Sequence, residues 1–514
     1  MAQNKNLSGD LPIVLSRWGP WILTAFLTAS LTVFVIGTWR WPLVGDASVI
    51  HYVAFLMDHG FAPYRQIVEL NMPGAYLVEW LLIHIFGGGS LSWRILDFAL
   101  MAAIGIAMVL IARPYGWFAG FAAAALVALI HGQDGVAFLG ERDLIIAAFL
   151  IWVCAFLFLG LRHNSALFIS ASGFAAGVAA TMKPLAIPIG FLLLIVLVLR
   201  LKAQQRPYRK LLLYAAAGFL LPCLIVYAYL VRVHALSAFV ETMFGLSRYY
   251  NGMYRKPMGF LLLHSVAPVG PLVVVWLVIV AVQRDWNWER RTLAGAATIG
   301  VAFYILQGRG FPYYRYPLLV FLLTLMAIDF VTALRHRVLR YLAALAGVYG
   351  LLVLAPQCAL KAIRYDWRNQ QFITMLSGDL QNLGGQEVSG KVQCLDTIAG
   401  CINTLYREQL VQATGFFYDC YAYAPRGTEM MWMVDRYRSA FMEALKRNPP
   451  RIFVVSNQYC QEGPDTYDKL NRWPALAALL DNQYWVYAER MPPDDVYWWS
   501  RPLKPSGYRI YLKR

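Results

Sequence analysis

Hydrophobic residues form long uninterrupted runs over the first two thirds of the chain and short, alternating segments over the last third. A helix needs about 20 apolar residues to cross the ~30 Å hydrocarbon layer of a membrane. The runs therefore predict a polytopic all-α membrane domain with about 11 transmembrane helices. The predicted spans are 20–39, 93–112, 116–131, 144–161, 165–181, 184–200, 211–231, 258–282, 292–306, 312–330 and 340–356.

The apolar run 73–86 differs from the others. It is short, carries Glu79 and His84, and ends in three consecutive glycines. A run of this length is typical of a re-entrant or interfacial helix rather than of a span. Residues 40–92 are therefore predicted to be a long first external loop that holds two short helices.

The last third alternates strand-like and helix-like segments, which predicts a small α/β domain. We place the domains at 1–360 and 361–514. The strand-like segments are 391–396, 451–456, 484–490 and 508–514, and the helical ones lie near 402–413, 436–448 and 474–481. Metal-ligand spacings and a glycine-rich phosphate loop are not evident in this part, which favours a structural or acceptor-handling role over catalysis.

Charge follows the same division. Only 14% of the residues are charged and 59% are hydrophobic, whereas soluble domains are about a quarter charged. This excludes an ordinary soluble enzyme. The net charge of +16 lies mainly in the membrane part, where basic residues at helix ends set orientation or meet lipid phosphate. Nucleic acid is therefore not an expected partner.

The basic residues of the membrane part recur at every second connection between spans. By the positive-inside rule these connections are cytoplasmic if the N-terminus is. An odd number of spans then places the C-terminal domain on the far side of the membrane, where disulfides can form. The residues are Lys5 and Arg17, Arg113, Arg162, and the clusters 200–210, 284–291 and 335–340.

Four cysteines fall in the C-terminal part: Cys394, Cys401, Cys420 and Cys460. An even number in a compact extracytoplasmic domain is typical of disulfides. One or two disulfides are expected if the domain is periplasmic, and four buried thiols are the alternative.

The first external loop is polar within a chain that otherwise avoids charge, and long loops tend to carry function. Asp46 follows the first span directly, at the boundary between water and membrane. Such a residue is either a simple interfacial carboxylate or a functional one. Tyr64, Arg65, Glu69 and Asn71 are further polar candidates in the loop.

Residues 45–94 resemble the first external loop of the GT-C superfamily of polyprenyl-phosphate-sugar-dependent glycosyltransferases, which includes protein O-mannosyltransferases and lipid A aminoarabinose transferases. The resemblance is close over about fifty residues, and elsewhere it is one of topology. The counterparts of the family pattern are Asp46, the helix at about 47–58, GFAPYR at 60–65, NMPG at 71–74, and the segment 86–94 that opens the next span.

Two further loops agree with this resemblance. The external connection 131–143 ends in Gly140-Glu141-Arg142-Asp143, where the superfamily keeps an acidic residue, and spacing leaves open whether Glu141 or Asp143 faces the site. A salt-bridged helix start is the structural alternative. The late loop 307–317, QGRGFPYYRYP, resembles the proline-rich step before a late span.

The sequence also departs from the family pattern. Asp46 is followed by Ala47, and Asn71 precedes Met72-Pro73, where relatives carry further charged residues. We therefore expect no required metal or other cofactor. A divalent cation held by His51, His84 or His131 is the alternative, although isolated histidines are more often packed or hydrogen-bonded.

The resemblance implies an inverting glycosyltransferase that moves a sugar, hexose or pentose, from a polyprenyl-phosphate carrier to a hydroxyl of a glycan, lipid or protein acceptor. The reaction is expected at the outer face of a bacterial inner membrane, with the C-terminal domain in the periplasm. Asp46 is the expected catalytic base, and external cations are expected to stabilise the departing phosphate. The predicted substrate-binding residues are Tyr64, Arg65, Glu69, Asn71, Glu141, Arg142, Asp143, Lys183, Arg248, Arg255, Lys256, Arg309, Tyr313 and Arg315.

Two other functions remain open at this point. A transporter or flippase of an anionic lipid-linked substrate needs charged residues along a path through the spans, and Asp97, Glu241 and Asp329 come nearest to that. A non-catalytic envelope assembly factor would use its external domain to bind a partner.

Overall fold

The computed structural model describes residues 10–252, 255–283, 286–364, 370–396, 398–423, 431–459, 466–493 and 506–514. Lys5, Arg284 and Cys460, which contribute to the expectations above, lie outside this part of the chain.

Helices account for most of the first 363 residues. Each predicted span coincides with helical structure, and two short helices lie in the first external loop. The helices are α1 (Asp10–Thr38), α2 (Gly45–Asp58), α3 (Pro73–Phe86), α4 (Ser90–Ala112), α5 (Trp117–Asp134), α6 (Arg142–His163), α7 (Ala166–Met182), α8 (Ile187–Ala203), α9 (Arg209–Arg232), α10 (Leu236–Phe244), α11 (Leu246–Gly252), α12 (Met258–Ser265), α13 (Gly270–Val282), α14 (Trp288–Gln307), α15 (Tyr316–Ala333), α16 (Leu339–Val348) and α17 (Ala355–Ile363).

Seven of the described helical segments are long and apolar enough to cross a membrane, and the number is eight if one bent pair counts as a span. The predicted count of eleven is therefore not confirmed. The bent pair is α12 and α13, which meet at 81°, so the predicted span 258–282 consists of two helices and not of one continuous helix. Pro268 and Pro271 lie at the break, and proline removes a helical hydrogen bond.

Small residues bring α7 and α9 into close contact. A Cβ placed on Gly173 would lie 2.0 Å from the Ala215 carbonyl oxygen, and one on Gly177 would lie 2.4 Å from that of Phe219. On α9, a Cβ on Gly218 would lie 2.2 Å from the Ser170 carbonyl oxygen. This is the close backbone approach that small residues allow in membrane helices, and it fixes the end of α7, which precedes Lys183.

The three acidic residues that could have lined a transport path are all ion-paired. Asp97 pairs with Arg94 and with His131, Asp329 with Arg290, and Glu241 with Arg436 of the C-terminal domain. Buried charges in a membrane domain, such as Asp97 and Asp329, require such pairing. These pairings favour a structural role for the three acids.

The C-terminal domain holds a four-stranded sheet in the order β1-β2-β4-β3. Strand β1 runs parallel to β2, and β4 is antiparallel to both β2 and β3. The strands coincide with the four predicted segments. The elements are β1 (Val392–Leu395), β2 (Ile452–Ser456), β3 (Tyr484–Arg490), β4 (Tyr508–Lys513), and the helices α18 (Gln370–Asn382), α19 (Cys401–Arg407), α20 (Met431–Arg447) and α21 (Pro474–Gln483).

Helix α19 is shorter than the helix predicted near 402–413. It ends at Arg407, because Gln409 adopts a left-handed backbone conformation, with φ of 54°. At its other end, the Asp396 carboxylate accepts hydrogen bonds from the backbone N–H groups of Ala399, Gly400 and Cys401. A disulfide joins Cys394 on β1 to Cys401, so one expected disulfide is present. Cys420 is also disulfide-bonded.

The C-terminal domain packs directly on the first external loop. The Tyr52 hydroxyl donates to the Leu410 carbonyl over 2.9 Å, and the Val68 N–H donates to the Gly415 carbonyl over 2.8 Å. A Cβ on Gly415 would lie 1.7 Å from the Gln66 carbonyl oxygen. The loop and the domain also share one hydrophobic cluster, which includes Tyr52 and Phe372. The two parts therefore form one continuous structure around α2.

Candidate functional site

Asp46 lies in the first turn of α2, where the partial positive charge of the helix N-terminus favours a carboxylate. Gly45 has a φ of 63°, and a Cβ there would lie 2.5 Å from the Ala137 carbonyl oxygen. Only glycine allows this approach, and it brings the 135–143 connection beside Asp46. The Tyr313 hydroxyl from the late loop lies 3.5 Å from Asp46 Oδ2.

The 135–143 connection supplies three charged residues. Glu141 precedes the first residue of α6 and is buried, and its Oε1 has no hydrogen-bond partner in the described part of the chain. Arg142 Nη2 lies 3.5 Å from Asp143 Oδ2. Gly140, with φ of 59°, packs on the Trp93 indole. The turn thus places all three side chains close enough to Asp46 of α2 to interact with it electrostatically.

Lys183 joins this group from the junction after α7. Its Nζ lies 2.8 and 3.0 Å from the two carboxylate oxygens of Asp143, and 4.4 Å from the centre of the Tyr314 ring. Burial lowers the pKa of Lys183 to about 8, against the opposing effect of the Asp143 carboxylate. The Asp143 carboxylate is thus paired with Lys183, whereas Glu141 has one oxygen without a hydrogen-bond partner among the described residues.

Arg309 approaches from the late loop between α14 and α15. Its guanidinium stacks on the Tyr250 ring, 3.4 Å from the ring centre, and donates to the Tyr250 carbonyl. The side chain is buried. Arg309 and Arg142 both lie close enough to Asp46 to lower its pKa.

Burial dominates the electrostatics of the carboxyl groups. It raises the pKa of Asp46, while Arg142 and the Tyr313 hydroxyl oppose this rise. Burial and the nearby Asp46 raise the pKa of Glu141 well above its ordinary value. Burial also raises the pKa of Glu79 of α3, which lies near Glu141 with both carboxyl oxygens unpartnered among the described residues.

Burial thus disfavours the charged forms of Asp46, Glu79 and Glu141, whereas the Asp143 carboxylate is paired with Lys183. The cations Arg142, Lys183 and Arg309 belong to the same group. A group of this kind offers a carboxyl group as a base and cations for an anionic group.

Three predicted loop residues bind each other instead of facing the Asp46 group. Glu69 accepts hydrogen bonds from the Asn71 backbone N–H over 2.7 Å, from its side-chain amide over 3.0 Å, and from the Tyr76 hydroxyl. The Tyr64 hydroxyl donates to the Asn71 carbonyl. This network holds the turn before α3. Arg65, also predicted, is exposed.

The other predicted cations are distributed differently. Arg248, Arg255 and Lys256 lie outside the buried group, and Arg255 lies against Gly308 in the late loop. Arg315 is buried and forms an ion pair with Asp134. The structure therefore brings Arg142, Lys183 and Arg309 toward Asp46, whereas the Arg315 guanidinium is engaged elsewhere.

Two contributors to the site are not evident from the sequence. Glu79 is a single charge within a short apolar helix, and its carboxyl group lies close enough to interact with Glu141 and Asp46. Tyr418 of the C-terminal domain interacts electrostatically with the same two acids. The tyrosine-rich segment 416–423 is the one signal that points to Tyr418. The proximity of Glu79 to Glu141 and Asp46 is seen only in the three-dimensional structure.

No group of three or more His, Cys, Asp or Glu side chains converges to hold a metal ion within the described residues. His51 and His131 are buried in ring and hydrogen-bond contacts, and His84 lies 3.6 Å from Asp58.

Comparison with known families gives a match to the dolichyl-phosphate-mannose-protein mannosyltransferase family over residues 71–229. The match begins within the first external loop and continues through most of α9. Among curated proteins, none matches the sequence significantly.

Comparison with solved structures gives matches over nearly the whole chain. ArnT from Cupriavidus metallidurans bound to undecaprenyl phosphate aligns with a TM-score of 0.56 and 14% identity, covering 96% of this chain and 97% of that one. The Archaeoglobus fulgidus oligosaccharyltransferase tethered with an acceptor peptide aligns with a TM-score of 0.52 and 12% identity, covering 86% and 70%. The chain thus has the fold of these two proteins. The predicted resemblance to the GT-C superfamily is confirmed, and the family match includes residues 71–94 of the segment 45–94.

Proposed function

We propose that the protein is a membrane glycosyltransferase that moves a sugar from a polyprenyl-phosphate carrier to an acceptor hydroxyl at the outer face of the membrane. One observation carries the proposal. The Asp46 side chain lies 3.5 Å from the Tyr313 hydroxyl, in a buried group that also holds Arg142, Lys183 and Arg309. A carboxyl group beside several cations suits this reaction.

The comparisons support the choice of donor. The matching family is described by a dolichyl-phosphate-mannose donor, and the ArnT structure is that of a complex with undecaprenyl phosphate. Both are polyprenyl phosphates, and the matched region includes part of the first external loop. We extend this donor class to the present chain because its Asp46 group combines a base with phosphate-binding side chains.

The chemistry assigns a role to each side chain. The acceptor oxygen attacks the anomeric carbon while the bond from that carbon to the phosphate oxygen breaks, and Asp46 takes the acceptor proton. Arg142, Lys183 and Arg309 stabilise the charge that develops on the departing phosphate. One displacement of this kind inverts the anomeric configuration.

The outer face is proposed from the C-terminal domain. Its Cys394–Cys401 disulfide is typical of an oxidising compartment such as the periplasm. Because this domain packs on α2, the Asp46 group must lie on the same side of the membrane as the disulfide. An N-terminus in the cytoplasm follows from the distribution of basic residues.

Comparative lipid analysis tests the proposal and does not require the sugar to be identified beforehand. Membranes from cells that produce the wild-type protein and from cells that produce Asp46→Asn at equal abundance are extracted, and their polyprenyl-phosphate sugars are measured by mass spectrometry. We expect one sugar-linked species to accumulate in the Asp46→Asn membranes, because its consumption needs the carboxylate.

The matched control is Asp481→Asn, which neutralises an exposed carboxylate of the C-terminal domain. Its lipid profile should equal that of the wild type. Identical polyprenyl-phosphate sugar profiles in the Asp46→Asn and wild-type membranes would rule out consumption of such a donor.

A further inference from the structure

A second cleft lies between the first external loop and the C-terminal domain, outside the Asp46 group. Its volume is about 700 Å³. It is closed on one side by α2 and the turn between α3 and α4, and on the other by α19. The lining residues that matter here are His51, Phe55, Asp58, Asn403, Tyr406 and Arg407.

Helix α2 separates this cleft from the Asp46 group. Ser48, His51, Phe55 and Asp58 line the cleft at intervals of three and four residues, which places them on one face of the helix. Asp46 does not belong to this face. The cleft extends to the start of α2, because Leu43, which lies three residues before Asp46, is one of its lining residues.

The cleft contains a hydrogen-bond acceptor without a protein donor. His51 Nδ1 lies 2.8 Å from the Ala47 carbonyl, so Nδ1 carries the proton. Burial lowers the pKa of His51 to about 3, which leaves Nε2 with a free lone pair at neutral pH. His51 is fully buried, and Nε2 has no partner in the described part of the chain.

A donor without an acceptor lies on the facing wall. The Asn403 Nδ2 atom of α19 is buried and has no partner among the described residues. An unpaired buried polar group is costly, so a ligand that offers both a donor and an acceptor would stabilise both walls at once. A hydroxyl group is such a ligand group.

The charges in the cleft favour a neutral ligand. Asp58 accepts a hydrogen bond from the Trp80 indole N–H over 2.7 Å, and Arg407 lies 3.9 Å from Glu408. His51 is uncharged at neutral pH and does not change the net charge of the cleft. One carboxylate and one partly neutralised guanidinium distinguish this cleft from the cation-rich Asp46 group. The rings of Phe55 and Tyr406 add apolar faces.

The C-terminal domain holds this cleft in place. The Tyr406 hydroxyl lies against Gly88 in the turn between α3 and α4, at a position where a Cβ would lie 2.2 Å from the oxygen. The Asp396 cap and the Cys394–Cys401 disulfide fix the start of α19. The position of Asn403 and Tyr406 therefore depends on the domain fold.

We infer that this cleft binds a neutral saccharide, as the part of the acceptor that lies away from the reacting hydroxyl. The assignment to the acceptor rests on the proposed function, whereas saccharide binding itself does not. A helix is about 10 Å across, so an extended glycan that passes the start of α2 reaches both faces.

Binding to the full-length protein in lipid nanodiscs tests the inference and avoids detergents that contain sugars. The probes are the methyl glycosides of glucose, galactose, mannose and N-acetylglucosamine, with inorganic phosphate as the anionic probe, and saturation-transfer NMR is the readout. We expect saturable binding of at least one glycoside at millimolar concentration. His51→Phe and Asn403→Leu should each weaken it by about tenfold, the effect of losing one buried hydrogen bond.

Two controls make the result specific. Asn471→Leu changes an exposed asparagine of the same domain and should bind as the wild type does, and Asp46→Asn should also retain binding. Absence of glycoside binding, preference for phosphate, or loss in Asp46→Asn but not in Asn403→Leu would each overturn the inference. Loss of sugar transfer with intact glycoside binding would instead point to the Asp46 group.

Discussion

The carboxyl groups around Asp46 differ in how they are paired, and this difference defines their roles. Asp143 is bound by Lys183 through both oxygens, whereas Glu141 and Glu79 keep unpaired oxygens in buried positions. Burial raises the pKa of both glutamates well above the ordinary value, although Arg142 opposes the rise. Burial raises the pKa of Asp46 as well, and Arg142 and the Tyr313 hydroxyl oppose this rise, so the protonation of Asp46 depends on these two neighbours.

Removal of Arg142 should shift the pH dependence of transfer. Arg142 lowers the pKa of Asp46, so Arg142→Gln should raise that pKa, and Asp46 would become protonated at a higher pH. The acid limb of the kcat/KM profile should move upward by about one pH unit. Arg113→Gln, which changes an exposed arginine, should leave the profile unchanged. An acid limb at the same pH in both variants would show that Asp46 is not the titrating base.

For individual residues, the sequence indicated candidates for the site but not the contacts that they make. Asp46, Glu141 and Lys183 occupy positions next to span ends, where charge in an apolar chain is conspicuous. The mutual bonding of Glu69 and Asn71 was not predictable, because a polar residue in a loop has the same sequence pattern whether it binds a ligand or its neighbour. Glu79 was noted only as a charge within the short apolar run 73–86, and nothing in the sequence indicated that it lies near Glu141 and Asp46.

Among the elements, α7 and α9 show how small residues determine the arrangement of helices around the site. Gly173, Gly177 and Gly218 allow backbone contact along most of the interface. Lys183 directly follows α7 and so depends on this packing for its position. Helix packing and the geometry of the cationic group are therefore linked.

Gly177→Leu should destabilise the membrane domain. Its side chain would meet the Phe219 backbone, which cannot move without displacing α9, and overpacking of this kind costs about 1–3 kcal/mol. We expect a lower midpoint of thermal unfolding in nanodiscs. Gly347→Leu makes the same change in α16, where nothing lies within 4 Å of a Cβ, and should have little effect. Equal midpoints for the two variants would contradict this view of the interface.

The hydrophobic pattern predicted element positions well, because long apolar runs and alternating strands are strong local signals. It did not predict the 81° bend between α12 and α13, where two prolines interrupt a run whose hydropathy is otherwise continuous. It also extended α19 too far, because the polar sequence around Gln409 gave no sign of the left-handed backbone conformation that follows the helix.

For the whole molecule, the main finding is that the membrane part and the C-terminal domain share a core around α2. The predicted division at residue 360 falls within α17, which continues to Ile363. The composition change located the two parts but gave no information on how they pack. The contacts of Tyr52 and Val68 with the domain, and the interaction of Tyr418 with Asp46, appear only in the folded structure.

Gly415→Ala should loosen this packing. The new methyl group would collide with the Gln66 backbone, so the hydrogen bond from Val68 to residue 415 should break. Hydrogen exchange in the 62–69 segment should increase, and sugar transfer should decrease with it. The control, Gly378→Ala in α18, has open space around the Cβ position. Unchanged exchange in Gly415→Ala would show that the loop and the domain are held together elsewhere.

The central claim is that Asp46 is the base of a polyprenyl-phosphate-dependent sugar transfer. Its most direct test is the rate of polyprenyl phosphate release by purified wild-type and Asp46→Asn proteins in liposomes, with the donor identified by lipid analysis and both proteins saturated with it. General base catalysis contributes about 10²- to 10⁴-fold, so the rate in Asp46→Asn should fall by at least about 100-fold. A rate in Asp46→Asn equal to that of the wild type would contradict the account.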